Sequence, residues 1–289
     1  MQELEKWRTA GRVGASALQH GASLIQAGRS ILEVAEEIED HIRKAGCRPS
    51  FPVNISIDTE AAHFTPPPDY DRRFETGQVV KLDVGAHLDG FISDNAQTVE
   101  VGSARRAPLL AASREALEAA ERVLHGGMST RAVTAAIEGA IQRRGFKSVV
   151  NLMGHTVERY SLHAGKSVPN SATIAESFLE VGEVVAVEPF ATNGEGAIGN
   201  GPFGNILRFR SEPDRTKEPE FHSLFEEFRT VPFCLRWVKD RSLHRLPFRK
   251  KGFVQTYPVF IEVAGGLVSQ WEATFLLQED GVERLTSVG

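Results

Sequence analysis

Phe74-Glu75-Thr76-Gly77-Gln78-Val79-Val80-Lys81-Leu82-Asp83 returns further along the chain as Leu179-Glu180-Val181-Gly182-Glu183-Val184-Val185-Ala186-Val187-Glu188. Each copy is a polar turn, a glycine, an apolar strand and then an acid six residues after the glycine. A carboxylate at the end of a buried strand must be paired, hydrogen-bonded or bound to a cation, because burying it bare costs several kcal/mol. Two such strands related by duplication set two acids against each other. Their repulsion drives them to share a proton unless a cation holds them together.

The duplication extends upstream. Gly28-Arg29-Ser30-Ile31 opens a helical stretch that closes at Arg43-Lys44-Ala45-Gly46, and Gly127-Met128-Ser129-Thr130 opens another that closes at Arg143-Arg144-Gly145. The outer glycines are 18 residues apart in both, and Ile38, Glu39 and Ile42 recur as Ile137, Glu138 and Ile141. Ser30 with Glu33 is a capping box, and Gly46 and Gly145 sit where a left-handed cap belongs. Helix, turn and strand in the same order twice imply a two-fold α/β repeat.

Working outward, periodicity predicts helices over 4–27, 30–45, 108–125 and 130–144. Strands are expected over 51–57, 78–87, 91–100, 149–156, 183–190, 254–263 and 267–278. The texture changes between 206 and 252, where Phe221 to Val238 is aromatic-rich and reads as helical and Arg245 to Lys251 is basic. This stretch is read as an insertion between two strands of the second half, with its basic residues a solvated face.

Asp89-Gly90 predicts a tight hairpin turn. It pairs Leu88 with Phe91, sets Asp83 opposite Ala96, and leaves Asp94 on the same face as Asp83. Diagonal neighbours of this kind lie about 7–8 Å apart, within reach of one cation. Gly266-Leu267-Val268-Ser269 resembles Gly90-Phe91-Ile92-Ser93, so Glu272 is expected to be the repeat counterpart of Asp94. His155 follows an apolar strand just before the second carboxylate strand. Imidazole beside carboxylates suits Zn, Co, Mn or Fe better than Mg or Ca. His63 and His163 also stand in unusual contexts, and His163 can join His155 only if the chain turns near 158–161. The remaining six histidines read as structural or surface.

Over 289 residues, 41% apolar and 25% charged content with a net charge of −5 describe an ordinary soluble chain and give no sign of a nucleic-acid-binding surface. Cys47 and Cys234, with no CxxC, speak against a disulfide framework and a thiolate zinc site. They read as reduced thiols in the cytoplasm. No signal peptide is expected from Met1-Gln2-Glu3-Leu4-Glu5-Lys6, and no run reaches the roughly 18 apolar residues of a membrane span.

Phe51-Pro52-Val53-Asn54-Ile55-Ser56, Lys81-Leu82-Asp83-Val84-Gly85, Asp89-Gly90-Phe91-Ile92-Ser93-Asp94, Gly154-His155, Leu162-His163-Ala164-Gly165 and Val187-Glu188-Pro189-Phe190 together resemble the type II methionine aminopeptidases in their archaeal form. The resemblance covers nearly the whole chain, 1–289. It implies the α/β pita-bread fold: two pseudo-twofold halves around a central antiparallel sheet, with 206–252 as the small helical insertion of type II. It implies two divalent ions (Co, Mn, Fe or Zn) held by Asp83, Asp94, His155, Glu188 and Glu272, with Asp94 and Glu272 bridging. Glu188 becomes the general base toward a bridging water, with His63 and His163 flanking the scissile bond and Phe51 lining the methionine pocket. The implied activity is removal of the initiator methionine from nascent polypeptide N-termini with a small second residue, near the ribosome. The expected state is a cytoplasmic monomer with no membrane or nucleic-acid partner.

One residue departs from the pattern: the family usually has histidine after the last glutamate, and here Ala273 follows Glu272. Two alternatives share the motifs. Xaa-Pro aminopeptidases and prolidases use the same five-ligand pattern but usually carry a sizeable N-terminal domain, and here the first half begins almost at residue 1. A metal-free relative that binds partners or RNA would be expected to have lost ligands, and all five positions are filled.

Overall fold

Gly77 and Gly182 both take positive φ, 90° and 88°, a backbone state that costs a glycine nothing. The same turn thus launches both repeated strands in the computed structural model, which describes residues 2–287. Val79–Val84 is paired on one side by Asn54–Ile57 and on the other by Asn95–Glu100. In the second half Val184–Val187 is paired by Met153–Val157 and Ala273–Gln278. Helices α1 (Gln2–Leu24) and α2 (Ile31–Lys44) close the first core over Ile55, Val80 and Leu82. Helices α3 (Ala107–Glu121) and α4 (Arg131–Arg143) close the second over Val185, Val187 and Phe275. The Ser30 hydroxyl accepts from Glu33 N at 3.3 Å, as the capping box requires.

The halves meet where Ala96 and Glu272 exchange both backbone hydrogen bonds, N to O at 3.3 and 2.9 Å. That bridge joins Asn95–Glu100 to the start of Ala273–Gln278 and makes one antiparallel sheet across both repeats. This is the pita-bread architecture. Either side of the bridge, Thr98 Oγ1 clasps the backbone of Gln270 and Thr274 Oγ1 clasps that of Asp94. A two-fold axis through the bridge therefore equates Ala96 with Glu272 and Asp94 with Gln270. The expectation that Glu272 mirrors Asp94 is corrected: the short motif match ends at Ser269, and the ladder register places Glu272 two residues beyond Asp94's true mate.

The hairpin register is as expected, with Leu88 opposite Phe91 and Asp83 opposite Ala96. Asp89 and Gly90 both have positive φ, 52° and 87°, the signature of the two-residue turn whose twist suits the strands. The long strands themselves are broken. The run 78–87 divides at Gly85 and 91–100 at Ser93-Asp94; 183–190 divides at Glu188-Pro189 and 267–278 at Trp271-Glu272. Every break falls within two residues of one of four acids, Asp83, Asp94, Glu188 and Glu272.

Beyond the sheet, Ile198–Phe209 and Val254–Glu262 pair antiparallel with register shifts around Phe203. Between them the chain packs α5 (Pro219–Phe228), the short strand Phe233–Cys234 and three 3-10 turns around Phe209, Phe221, Phe228 and Phe233. The expectation of a helix over 221–238 is corrected: α5 stops at Phe228, where Arg229 takes φ 54° and Pro232 follows. α1 likewise ends at Leu24 rather than 27, ahead of the Gly28 turn. Among the described residues no helix is long and apolar enough to cross a membrane.

Candidate metal centre

The strand breaks turn four acids inward. Asp83 lies one residue before the end of its strand, opposite Asn54 on one side and Ala96 on the other. Asp94 occupies the bend before Asn95–Glu100, its amide and carbonyl held by Thr274 Oγ1 at 2.8 and 2.7 Å. Glu188 precedes Pro189, which has no N–H to continue the ladder. Asn170 Nδ2 donates to the Glu188 carbonyl at 3.0 Å and ties it to Leu152 O at 2.9 Å. Glu272 sits on the two-fold bridge itself.

These acids converge with His155. Ligand atoms of Asp94, His155 and Glu272 all lie within 4.8 Å of one another, and all three residues are buried. Asp83 Oδ1, Asp94 Oδ1 and Glu272 Oε1 are buried without any hydrogen-bond partner. Orphaned carboxylate oxygens in a protein interior are costly. Three of them pointing into one space fit a cation that is not a protein group. Burial pushes Asp94 up to about 7. Burial, and then repulsion from neighbouring carboxylates, holds Asp83, Glu188 and Glu272 well above the usual range.

The histidines complete the donor set. His155 Nε2 approaches Asp94 Oδ2 at 3.6 Å, but the two do not form an ion pair. Burial first, and then the neighbouring His163, keep the His155 imidazole neutral. Its Nδ1 faces the Thr156 carbonyl at 3.4 Å, which leaves the Nε2 lone pair for a metal. The His163 ring lies tilted beside it, centroids 4.3 Å apart and planes at 54°, and keeps solvent contact. Burial of the ring, and then the charge of Arg208, lower its pKa. His63 is held at φ 68°, a strained state for a non-glycine residue. It packs between Tyr257 and Phe260, with Nδ1 3.3 Å from Pro258 O. Burial, and then His163, lower it to about 4.

All eight residues singled out in the sequence, Phe51, His63, Asp83, Asp94, His155, His163, Glu188 and Glu272, line one cavity of about 180 Å³. The turn that lets His155 and His163 meet is the Glu158–Ser161 bridge. Four carboxylates with a neutral imidazole suit divalent first-row ions. Sequence reading missed Asn54, Ile206, Pro232, Tyr257 and Phe260 on the same wall. Asn54 carried a signal, since pairing brings it opposite Asp83; the others come from distant strands and have none. Ala273 is fully buried in the second-half core with Leu109 and Ala116, away from the cavity.

Residues 5–208 match the model of metallopeptidase family M24. The methionine aminopeptidase of Archaeoglobus fulgidus is 44% identical over 288 residues, covering 96% of both chains. The crystal structure of methionine aminopeptidase from Thermotoga maritima superposes with a TM-score of 0.73 at 23% identity, covering 99% of this chain and 97% of that one. A prolidase from Pyrococcus furiosus shares the fold with a TM-score of 0.65 at 19% identity, with all of this chain matching 64% of that one. The chain belongs to metallopeptidase family M24 and, within it, to the methionine aminopeptidases of archaeal type.

Proposed function

We propose that the chain is a metal-dependent aminopeptidase that removes methionine from polypeptide N-termini. Family membership supports the reaction class, and the orphaned carboxylate oxygens of Asp83, Asp94 and Glu272 at the cavity floor carry the reading. Two divalent ions would be held by Asp83, Asp94, His155, Glu188 and Glu272. Bound there, divalent cations supply a water of lowered pKa and polarise the first peptide carbonyl.

The remaining steps belong to the side chains. The Glu188 carboxylate takes the proton from the attacking water and passes it to the leaving amine. Neutral His163 donates a ring N–H to the oxygen that gains charge. His63 Nδ1 faces the Pro258 carbonyl and so carries the hydrogen. Its Nε2 is then an acceptor suited to the scissile N–H. Phe51 with Tyr257 and Phe260 provides an apolar wall for an unbranched thioether. At about 180 Å³ the cavity is well under the roughly 300–1,000 Å³ of drug-sized sites, which supports entry of one side chain and a small second residue. The stretch 206–252 is the type II insertion in this reading. The enzyme acts as a cytoplasmic monomer on nascent chains near the ribosome, with no membrane or nucleic-acid partner.

The test is methionine release from Met-Ala-Ser and Met-Lys-Ser by metal-stripped protein, with Co(II) or Mn(II) added back. Metal-dependent cleavage of the first peptide alone is expected. No turnover with either ion would remove the enzyme reading.

A further inference from the structure

The two-fold axis gives one site acid a neutral mate. Thr98 Oγ1 donates to Gln270 O and accepts from Gln270 N, both at 2.8 Å. Thr274 Oγ1 does the same for Asp94, at 2.7 and 2.8 Å. The preceding residues obey the same symmetry. Ser93 Oγ donates to Ala10 O in α1 and Ser269 Oγ to Leu109 O in α3, both at 2.8 Å. The backbone scaffold is thus duplicated around Asp94 and Gln270, and the head groups are what differ: a carboxylate in one half, a carboxamide in the other.

Gln270 is 1% exposed and ends its strand just before the break at Trp271-Glu272. Its Nε2 stands 3.3 Å from Glu272 Oε2 and 3.5 Å from Glu188 Oε2. The opposite amide orientation would press a carbonyl oxygen against two carboxylates, so the chemistry sets the N–H side toward them. One amide thereby directs its two hydrogens at one oxygen of each acid. The other oxygen of Glu272, Oε1, is left without a protein partner.

We propose that Gln270 is a positioning residue for the metal centre, holding Glu188 and Glu272 so that their free oxygens face the cations. This rests on the reading of those two acids as ligands. The amide also keeps a fifth carboxylate out of a site that already holds Asp83, Asp94, Glu188 and Glu272, whose four charges match two divalent cations. Outer partners of this kind typically contribute about 10–100-fold to metal affinity.

The experiment is Mn(II) binding by chelator competition, on wild type and on Gln270→Met, which keeps the length and removes both hydrogens. The expected result is about 10–100-fold weaker binding in the variant, with the fall in kcat/KM carried by kcat rather than KM. Wild-type affinity in Gln270→Met overturns the proposal alone. No Mn(II) uptake by the wild type overturns the metal reading and this proposal with it. A second measurement needs no substitution: in the Zn(II)-loaded wild type the Gln270 side-chain amide hydrogens are expected to be protected from exchange. Exchange at the rate of a free amide overturns the positioning role.

Discussion

Glu39 and two of the cavity acids, Asp94 and Glu272, are buried to a similar depth by very different company. Glu39 is 1% exposed and collects four donors. Arg236 Nη2 and Val53 N reach Oε1 at 2.8 and 3.3 Å, while Arg236 Nη1 and Trp237 Nε1 reach Oε2 at 2.9 and 2.7 Å. Arg236 goes on to Pro66 O and Thr65 Oγ1 at 2.8 and 3.0 Å, two residues past His63. This cluster pins the segment that follows α5 to α2 and to the loop that carries the strained histidine. Asp94 and Glu272 are just as deep, yet each has an oxygen with no partner at all. Burial of a carboxylate therefore says little about function. What separates a structural acid from a ligand is whether the protein supplies its donors.

That contrast can be broken in three ways, the largest effect first. Glu188→Gln should lower kcat/KM by about 10²–10⁴-fold, the usual contribution of a positioned proton acceptor. Removing a like charge should leave the metal-free fold as stable as before or more so. Methionine release and thermal unfolding in chelator measure the two; an active variant would strip Glu188 of its role.

Glu39→Ala should do the reverse. Leaving the Arg236 guanidinium buried and uncompensated costs about 3–5 kcal/mol, read as a lowered denaturation midpoint. Replacing both Glu39 and Arg236 by Met should recover most of the loss. A single variant as stable as the wild type would show that water reaches the pair.

The smallest effect is the dependence on pH. The folded-state pKa of Asp94 is raised to about 7 from an unfolded value near 3.9. The metal-free protein thus binds more protons folded than unfolded across that window. Its stability is greatest below about 4 on this account and falls as pH rises through about 7. Asp83, Glu188 and Glu272, also raised, act in the same sense. Divalent cations displace those protons, so added Mn(II) should raise Tm more at pH 8 than at pH 5. An equal shift at both pH values would mean the acids are already ionised without metal.

Much of the site was legible because its rules are local. Gly77 and Gly182 set identical turns, strand alternation placed Asp83 and Asp94 on one face, and Asp89-Gly90 closed the hairpin in the expected register. The repeat also marked Glu39 and Glu138 as equivalent, yet their partners diverge. Glu138 accepts from Ser171 Oγ and Ala172 N instead of an arginine. Neither set of donors is near its acid in sequence, so no pattern announces it. The end of α5 was missed for a similar reason: the aromatic residues after Phe228 look helical, but they serve the small core around Phe233 from a turn and a short strand.

By itself, then, the sequence determined the repeat, the hairpin and the identity of the acids that could meet, because periodicity and turn chemistry act over a few residues. Only the tertiary structure decided that the strands break at Gly85, Asp94, Glu188 and Trp271-Glu272, that the two-fold passes through Ala96 and Glu272, and that Gln270 is the mate of Asp94. Those outcomes depend on which distant groups arrive to satisfy each buried polar atom. Packing settles that, and spacing along the chain does not.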